Sequence, residues 1–471
     1  MVFSSAIFLF VFFPSVFLLY RIIPTIKLKN IFLTIASLVF YAFGQPEYMV
    51  LLLFSVLCNY IAGVMLAKDN TNRKLVLTIT VAINLLIIGI FKYLGFFIEN
   101  MNFLFNINIA SIPIALPIGI SFFTFQGLSY VIDVYRDRSL ATKDFGKLLL
   151  YIALFPQLIA GPIIIYHDVA AQVDDRKCTS ALTADGIRRF IIGLSKKLLI
   201  ANTMGMVADT IFKMNPIELD MRTAWIGAIC YTLQIYFDFS GYSDMAIGLG
   251  KCFGFSFMEN FRYPFTSKTI KAFWRSWHIS LSSWFRDYLY IPLGGNRKGE
   301  FRSEINKCIV FFCTGLWHGA SWTFIIWGLW HGLFIVLEDL NIIRSKRLSN
   351  SVFGYLYTFL VVVCGFVLFR ADNMSYAALM LKSMFVGIRP TAVSDSVLFS
   401  VFNSFNIFVF IVAILASTKI LPKVSSILKE KHVKIFNFLD VGAYAAVLAL
   451  LFFNLMNIAS STFNPFIYFR F

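Results

Sequence analysis

Ile309-Val-Phe-Phe-Cys-Thr-Gly-Leu-Trp-His-Gly-Ala-Ser-Trp-Thr-Phe-Ile-Ile-Trp-Gly-Leu-Trp-His-Gly-Leu-Phe-Ile-Val-Leu337 is the stretch on which the fold turns. Between Lys307 and Glu338 its only ionisable groups of ordinary charge chemistry are two histidines. It is longer than the ~20 mostly apolar residues that cross a bilayer. Similar runs cover residues 2–23, 75–98, 112–134, 186–212, 223–249, 352–369, 397–416 and 441–458. Across the 471 residues, 59% are hydrophobic, 54 are Phe and the mean hydropathy is +0.76. Only 14% are charged, against about 25% in soluble domains. This predicts an all-α, polytopic transmembrane protein of roughly 11 spans.

Charge placement orients the chain. Arg21, Lys27 and Lys29 follow the first run, the turn at residues 44–47 has no positive charge, and Lys68, Arg73 and Lys74 follow the third. Residues 75–98 carry a lone Lys92 and lead to the uncharged 100–111 stretch, and Arg136, Arg138, Lys143 and Lys147 follow the next run. Basic and non-basic loops alternate, as the positive-inside rule requires. The expectation is a multi-pass protein of the cell (plasma or inner) membrane with an extracytoplasmic N-terminus. The first run lacks a positive n-region and a small-residue cleavage site, so it reads as a spanning helix. The net charge of +16 belongs to these loops, and no nucleic-acid partner is expected. Residues 148–166 contain Pro156 and Gly161-Pro162, which break helices and suggest a re-entrant or interfacial segment. The lysine-rich 423–434 stretch reads as a cytoplasmic loop.

Seven cysteines with no CxxC indicate no disulfide framework. No HExxH, Cys/His quartet, phosphate loop or GxSxG elbow occurs, so no metal site is expected.

An ionisable group inside a bilayer is costly and invites a functional hypothesis. Of five histidines, His278, His318 and His331 fall within 54 residues. On one continuous helix His318 lies about 16 Å beyond Lys307, deep in the apolar run, with Gly315, Gly319 and Ala320 leaving space for a substrate chain or another helix. It is either a base or a hydrogen-bonding link between helices. Read as a helix, Arg275, His278 and Ser282 share one face amid Trp274, Trp277 and Trp284, a composition suited to the headgroup level. On a continuous helix His331 would sit about 220° around the axis from His318, away from the site unless the helix kinks. Tyr236-Phe-Asp-Phe-Ser-Gly-Tyr-Ser-Asp244 embeds Asp238 and Asp244 in apolar surroundings. Buried carboxylates need partners, for which Arg262 and Arg275 are candidates, either as structural ion pairs or as groups that position a catalytic His. His167 and His432 read as solvated loop residues.

A neutral His in an apolar site suits general-base work on a hydroxyl attacking a thioester. The Arg297, Lys298 and Arg302 loop would suit the phosphates of coenzyme A or of a phosphopantetheine carrier, or would simply mark the cytoplasmic face.

The residues also resemble a known family. Leu116-Pro-Ile-Gly-Ile-Ser-Phe-Phe-Thr-Phe-Gln126, Phe155-Pro-Gln-Leu-Ile-Ala-Gly-Pro162, Tyr236–Ala246, Phe273-Trp-Arg-Ser-Trp-His278, Arg286-Asp-Tyr-Leu-Tyr-Ile-Pro-Leu-Gly-Gly-Asn-Arg297, Gly315-Leu-Trp-His-Gly-Ala320 and the ending Pro465-Phe-Ile-Tyr-Phe occur in one order. Together they resemble the bacterial membrane-bound O-acyltransferases (MBOAT), in the alginate O-acetyltransferase-like branch. The resemblance implies a single membrane-bound domain over 1–471, with N-terminal helices at 1–110, a catalytic core at 111–340 and C-terminal helices at 341–471, its helices ringing a central funnel. It implies that His318 is the catalytic histidine and His278 the second, lining the path; the candidate substrate-binding residues beside them are Arg275, Trp277, Ser282, Trp317, Asn296, Arg297, Asp238 and Asp244. No bound cofactor is implied. Acetyl-CoA, or a phosphopantetheine-carrier thioester, would be the donor, an extracytoplasmic acetyltransferase the partner protein, and a cell-surface polysaccharide the acceptor. Two alternatives stand beside this: D-alanyl transfer to teichoic acid, and a proton-coupled transporter or flippase, against which the lack of an internal repeat counts.

Overall fold

In the computed structural model, residues 1–110, 114–159, 161–387, 389–431 and 433–460 are described. Ser111, Ala160 of the Phe155–Pro162 motif, His432 and the Pro465–Phe469 ending lie outside them. Every regular element among the described residues is a helix. Many starts are written in the sequence as caps, where a side-chain oxygen satisfies a free N–H of the first turn. Thr25 caps Ile26–Ala42, Asn72 caps Arg73–Ile88, Thr269 caps Ile270–Trp274 and Ser321 caps Trp322–Asp339.

Among the described residues, five helices are long and apolar enough to cross a membrane: Pro46–Leu66, Arg73–Phe105, Ser180–Phe212, Phe353–Arg370 and Val441–Ser460. Ala392–Val401 and Ser404–Ala416 make a sixth if counted together, although they bend by 78°. The expected count of roughly 11 is not reached by this measure, because several apolar runs are cut short. The stretch 309–337 is divided between Glu300–His318 and Trp322–Asp339. The 148–166 segment falls into Phe145–Ala153, Phe155–Leu158 and Tyr166–Asp174, with Pro156 opening the middle piece. The lysine-rich 423–434 stretch is helical over Ile420–Lys431.

The chain divides into two compact units. The first comprises Met1–Phe190 and Ser243–Glu259. Its interior is aromatic, with Phe8 against Phe3, Phe40 and Phe155. Asn59 and Asn84 exchange side-chain hydrogen bonds of 3.2 and 3.1 Å between two apolar helices, a polar link that is favourable where no water competes. The second unit comprises Ile191–Tyr242 and residues from Asn260 onward. Its core is built on the Asn202–Phe212, Phe353–Arg370 and Met374–Val386 helices together with the first part of the long Met221–Cys252 helix.

Within the second unit, Glu300–His318 and Trp322–Asp339 form a tight helical hairpin. A Cβ at Gly328 would clash with the Phe311 carbonyl, and one at Gly315 with the Phe324 carbonyl. Glycine at both positions lets the backbones touch. The space expected beside His318 is therefore filled by the second helix and, at Gly319, by the Phe324 ring.

Candidate functional site

His318 is the last residue of the Glu300–His318 helix, which stops there because Gly319 turns to extended backbone before the Ser321 cap. Its ring is 5% exposed and lies edge-on to Trp317, Trp327 and Phe369, with centroids 4.9, 5.0 and 5.1 Å away.

His278 was expected on a helical face shared with Arg275 and Ser282. Instead the helix ends at Trp274, and His278 adopts left-handed backbone (φ 43°) as the N-cap of Ile279–Phe285. Such a conformation costs a bulky residue of order 1–3 kcal/mol. Hydrogen bonds to the preceding strand-like segment hold it: Ile279 N–H donates to the Asn260 carbonyl at 3.0 Å, and Arg262 N–H to the Ser276 carbonyl at 3.0 Å. The break separates the side chains. Arg275 and Ser282 face a cavity, while the His278 ring packs against Phe239 (4.6 Å) and Trp317 (5.9 Å). His278 and His318 thus both pack on the Trp317 indole. Trp277 is a wall of the same cluster, stacked on Phe273 at 5.5 Å and beside Phe261 and Phe366.

The break after His318 interrupts the continuous helix on which His331 would have stood apart. Its ring lies 5.4 Å from Trp327, whose indole contacts His318, and 5.3 Å from Trp274. It is fully buried, and neither ring nitrogen has a protein hydrogen-bond partner; the indole N–H groups of Trp274 and Trp327 are in the same position.

A cavity of about 270 Å³ opens beside Trp274. Its lining draws cations from Lys271, Arg275, Arg286 and Lys307, with Ser282, Tyr290 and Asp339. Asp339 pairs with both Lys271 and Lys307, Lys307 also with Glu304, and Arg286 with Asp287, which leaves a smaller positive excess. Burial, and then Lys307 nearby, pull the Lys271 ammonium below its ordinary pKa. Asn296 and Arg297 are exposed and outside this lining.

The two carboxylates have partners other than those expected. Asp238 pairs with Lys197 at 2.7 Å, both side chains almost wholly buried. Asp244 belongs to the first unit, where Arg189 bridges it at 2.8 Å and also pairs with Glu259. Lys197 and Arg189 lie in another apolar run, and nothing in the spacing points to them. Asn260, Trp327 and Lys271 were likewise missed, since each acts through a contact distant along the chain. Among the described residues no three His, Cys, Asp or Glu side chains are grouped to hold a metal.

Residues 120–378 match the family MBOAT, membrane-bound O-acyltransferase. The chain is 43% identical over 394 residues to the protein named Probable alginate O-acetylase AlgI of Pseudomonas putida, spanning 82% of this chain and 80% of that one. It is 34% identical over 420 residues to the peptidoglycan O-acetyltransferase of Helicobacter pylori, at 82% and 80% coverage. It is 30% identical over 278 residues to the teichoic acid D-alanyltransferase of Bacillus subtilis, at 54% and 68% coverage. With this similarity, the apolar helices and the buried histidine pair, the chain belongs to the membrane-bound O-acyltransferase family and is a multi-pass membrane O-acyltransferase.

Proposed function

We propose that the protein moves an acetyl group from acetyl-CoA on the cytoplasmic side of the cell membrane toward the outer side, for O-acetylation of a cell-surface polysaccharide, with an extracytoplasmic acetyltransferase as its partner. The observation that carries this is the packing of His278 and His318 on one buried Trp317 indole, in the unit that also holds the four-cation cavity. The names of the relatives support acetyl transfer to a glycan: those covering about four-fifths of both chains are an alginate and a peptidoglycan acetylating enzyme.

The roles follow from the chemistry. A hydroxyl oxygen attacks the thioester carbonyl carbon, and its proton passes to the His318 imidazole. As the C–S bond breaks, that proton returns to the leaving sulfur. This step requires a neutral His318 ring to accept the proton. Lys271, Arg275, Arg286 and Lys307 suit the phosphates at the far end of the donor, since clustered cations recognise phosphate by charge and hydrogen bonding.

The test offers membranes containing the protein and its partner either acetyl-CoA or a carrier-protein D-alanyl thioester, and follows ester formed on the glycan. Acetyl ester from acetyl-CoA is expected. Turnover of the carrier thioester alone would replace this reading with D-alanyl transfer.

A further inference from the structure

Asn260 lies in an extended segment ahead of His278, is 1% exposed, and belongs to none of the motifs read from the sequence. Its side-chain oxygen accepts the Ser280 backbone N–H at 3.2 Å and the Ser280 hydroxyl at 3.0 Å, and meets His278 Nδ1 at 3.2 Å. A backbone N–H can only donate. The Asn260 atom facing Ser280 is therefore Oδ1, and Nδ1 of His278 must carry its hydrogen to meet the same acceptor. In the neutral ring Nε2 is then bare. It is buried and has no protein partner.

We propose that Asn260 is a positioning residue that fixes His278 as the Nδ1–H tautomer, so that this histidine serves the acyl-transfer site as a hydrogen-bond acceptor through Nε2. The inference rests on the acyl-transfer reading above and adds to it. A ring in this state cannot donate to the thioester carbonyl oxygen. The class of group it fits is an O–H donor, such as an acyl acceptor carries. Groups around the ring leave the tautomer to Asn260. Phe239 comes from the long helix, Phe261 from the extended segment and Trp317 from the His318 helix, and all are aromatic. The titratable group across Trp317 is His318 itself. The left-handed backbone at His278 and the paired segment at 260–262 keep ring and amide in register.

The test compares wild type with Asn260→Leu and Asn260→Asp in donor turnover across pH. Leu removes the acceptor and should lower kcat at least about tenfold, as loss of the group that holds a catalytic histidine in its tautomer does, while donor KM stays within about threefold. Asp keeps an acceptor but adds a charge that favours imidazolium, so activity persists and its acid limb moves up by about one pH unit or more. An unchanged kcat in a monodisperse Leu variant, or an unmoved acid limb in the Asp variant, would overturn the proposal. Should both variants misfold, nitrogen NMR of histidine-labelled wild type decides, with the His278 signal assigned by its loss in His278→Gln. A bare Nε2 supports the proposal, and a protonated Nε2 with bare Nδ1 sinks it. Wild type that cleaves no thioester yet shows the Nδ1–H tautomer would break the acyl-transfer reading alone.

Discussion

At the residue scale, the Lys197–Asp238 pair shows how a buried charge constrains the protein. Both side chains are almost fully removed from solvent and 2.7 Å apart. Removing one partner takes a close counter-charge from a buried ion, at about 3–5 kcal/mol. Asp238→Asn alone should therefore lower the unfolding temperature in detergent more than the double change Lys197→Met with Asp238→Leu; a double variant less stable than the single would contradict this. The sequence announced the need for a partner but misnamed it. Asp238 was recognisable because a carboxylate in an apolar run demands compensation. Choosing Lys197 over Arg262 or Arg275 requires knowing which faces of two distant helices meet, which periodicity within one helix does not contain. His318 was legible for the opposite reason. A lone histidine in a charge-free run stands out whatever it packs against.

At the scale of elements, the hairpin of Glu300–His318 and Trp322–Asp339 depends on glycine at its crossing. Gly328→Val should force the backbones apart, at about 1–3 kcal/mol, and lower thioester turnover by displacing Trp327 from His318. Gly332→Ala, at a looser contact with Phe311, should do less, and equal damage from both would argue against a close crossing at Gly328. Two helix breaks reorganise the site relative to its sequence reading. The one at Gly319–Ser321 brings His331 back to the indole that contacts His318, and the one at His278 turns the ring away from Arg275 and Ser282. Ser321 as a cap and Gly319 before it were visible signals. The break at His278 had none, since the left-handed residue is a histidine and its support comes from Asn260 and Arg262.

At the scale of the whole molecule, the apolar composition and the alternation of basic loops carried the membrane class, and the ordered motifs carried the family. By length and composition the described helices give five or six spans against the roughly 11 read from the runs, because Pro, Gly and side-chain caps divide apolar sequence into shorter pieces. The cationic cavity leads to a prediction about the donor. Lys271→Ala with Arg275→Ala should raise the KM for acetyl-CoA about tenfold or more while changing kcat less, since phosphate contacts remote from the reacting carbon act mainly on binding. Because the Lys271 ammonium sits below its usual pKa, its charge is fully present at lower pH and lost as pH rises through that lowered value. Donor KM should therefore climb on the alkaline side in wild type, and less so in Lys271→Arg. A KM flat across alkaline pH would remove Lys271 from donor binding. The central claim, acyl transfer with His318 as its base, is tested most directly by thioester cleavage in membranes holding wild type or His318→Ala at matched expression, supplied with acetyl-CoA and the partner. Loss of about a hundredfold or more in the variant is predicted, the usual scale for removing a general base. Equal cleavage by the two would contradict the assignment.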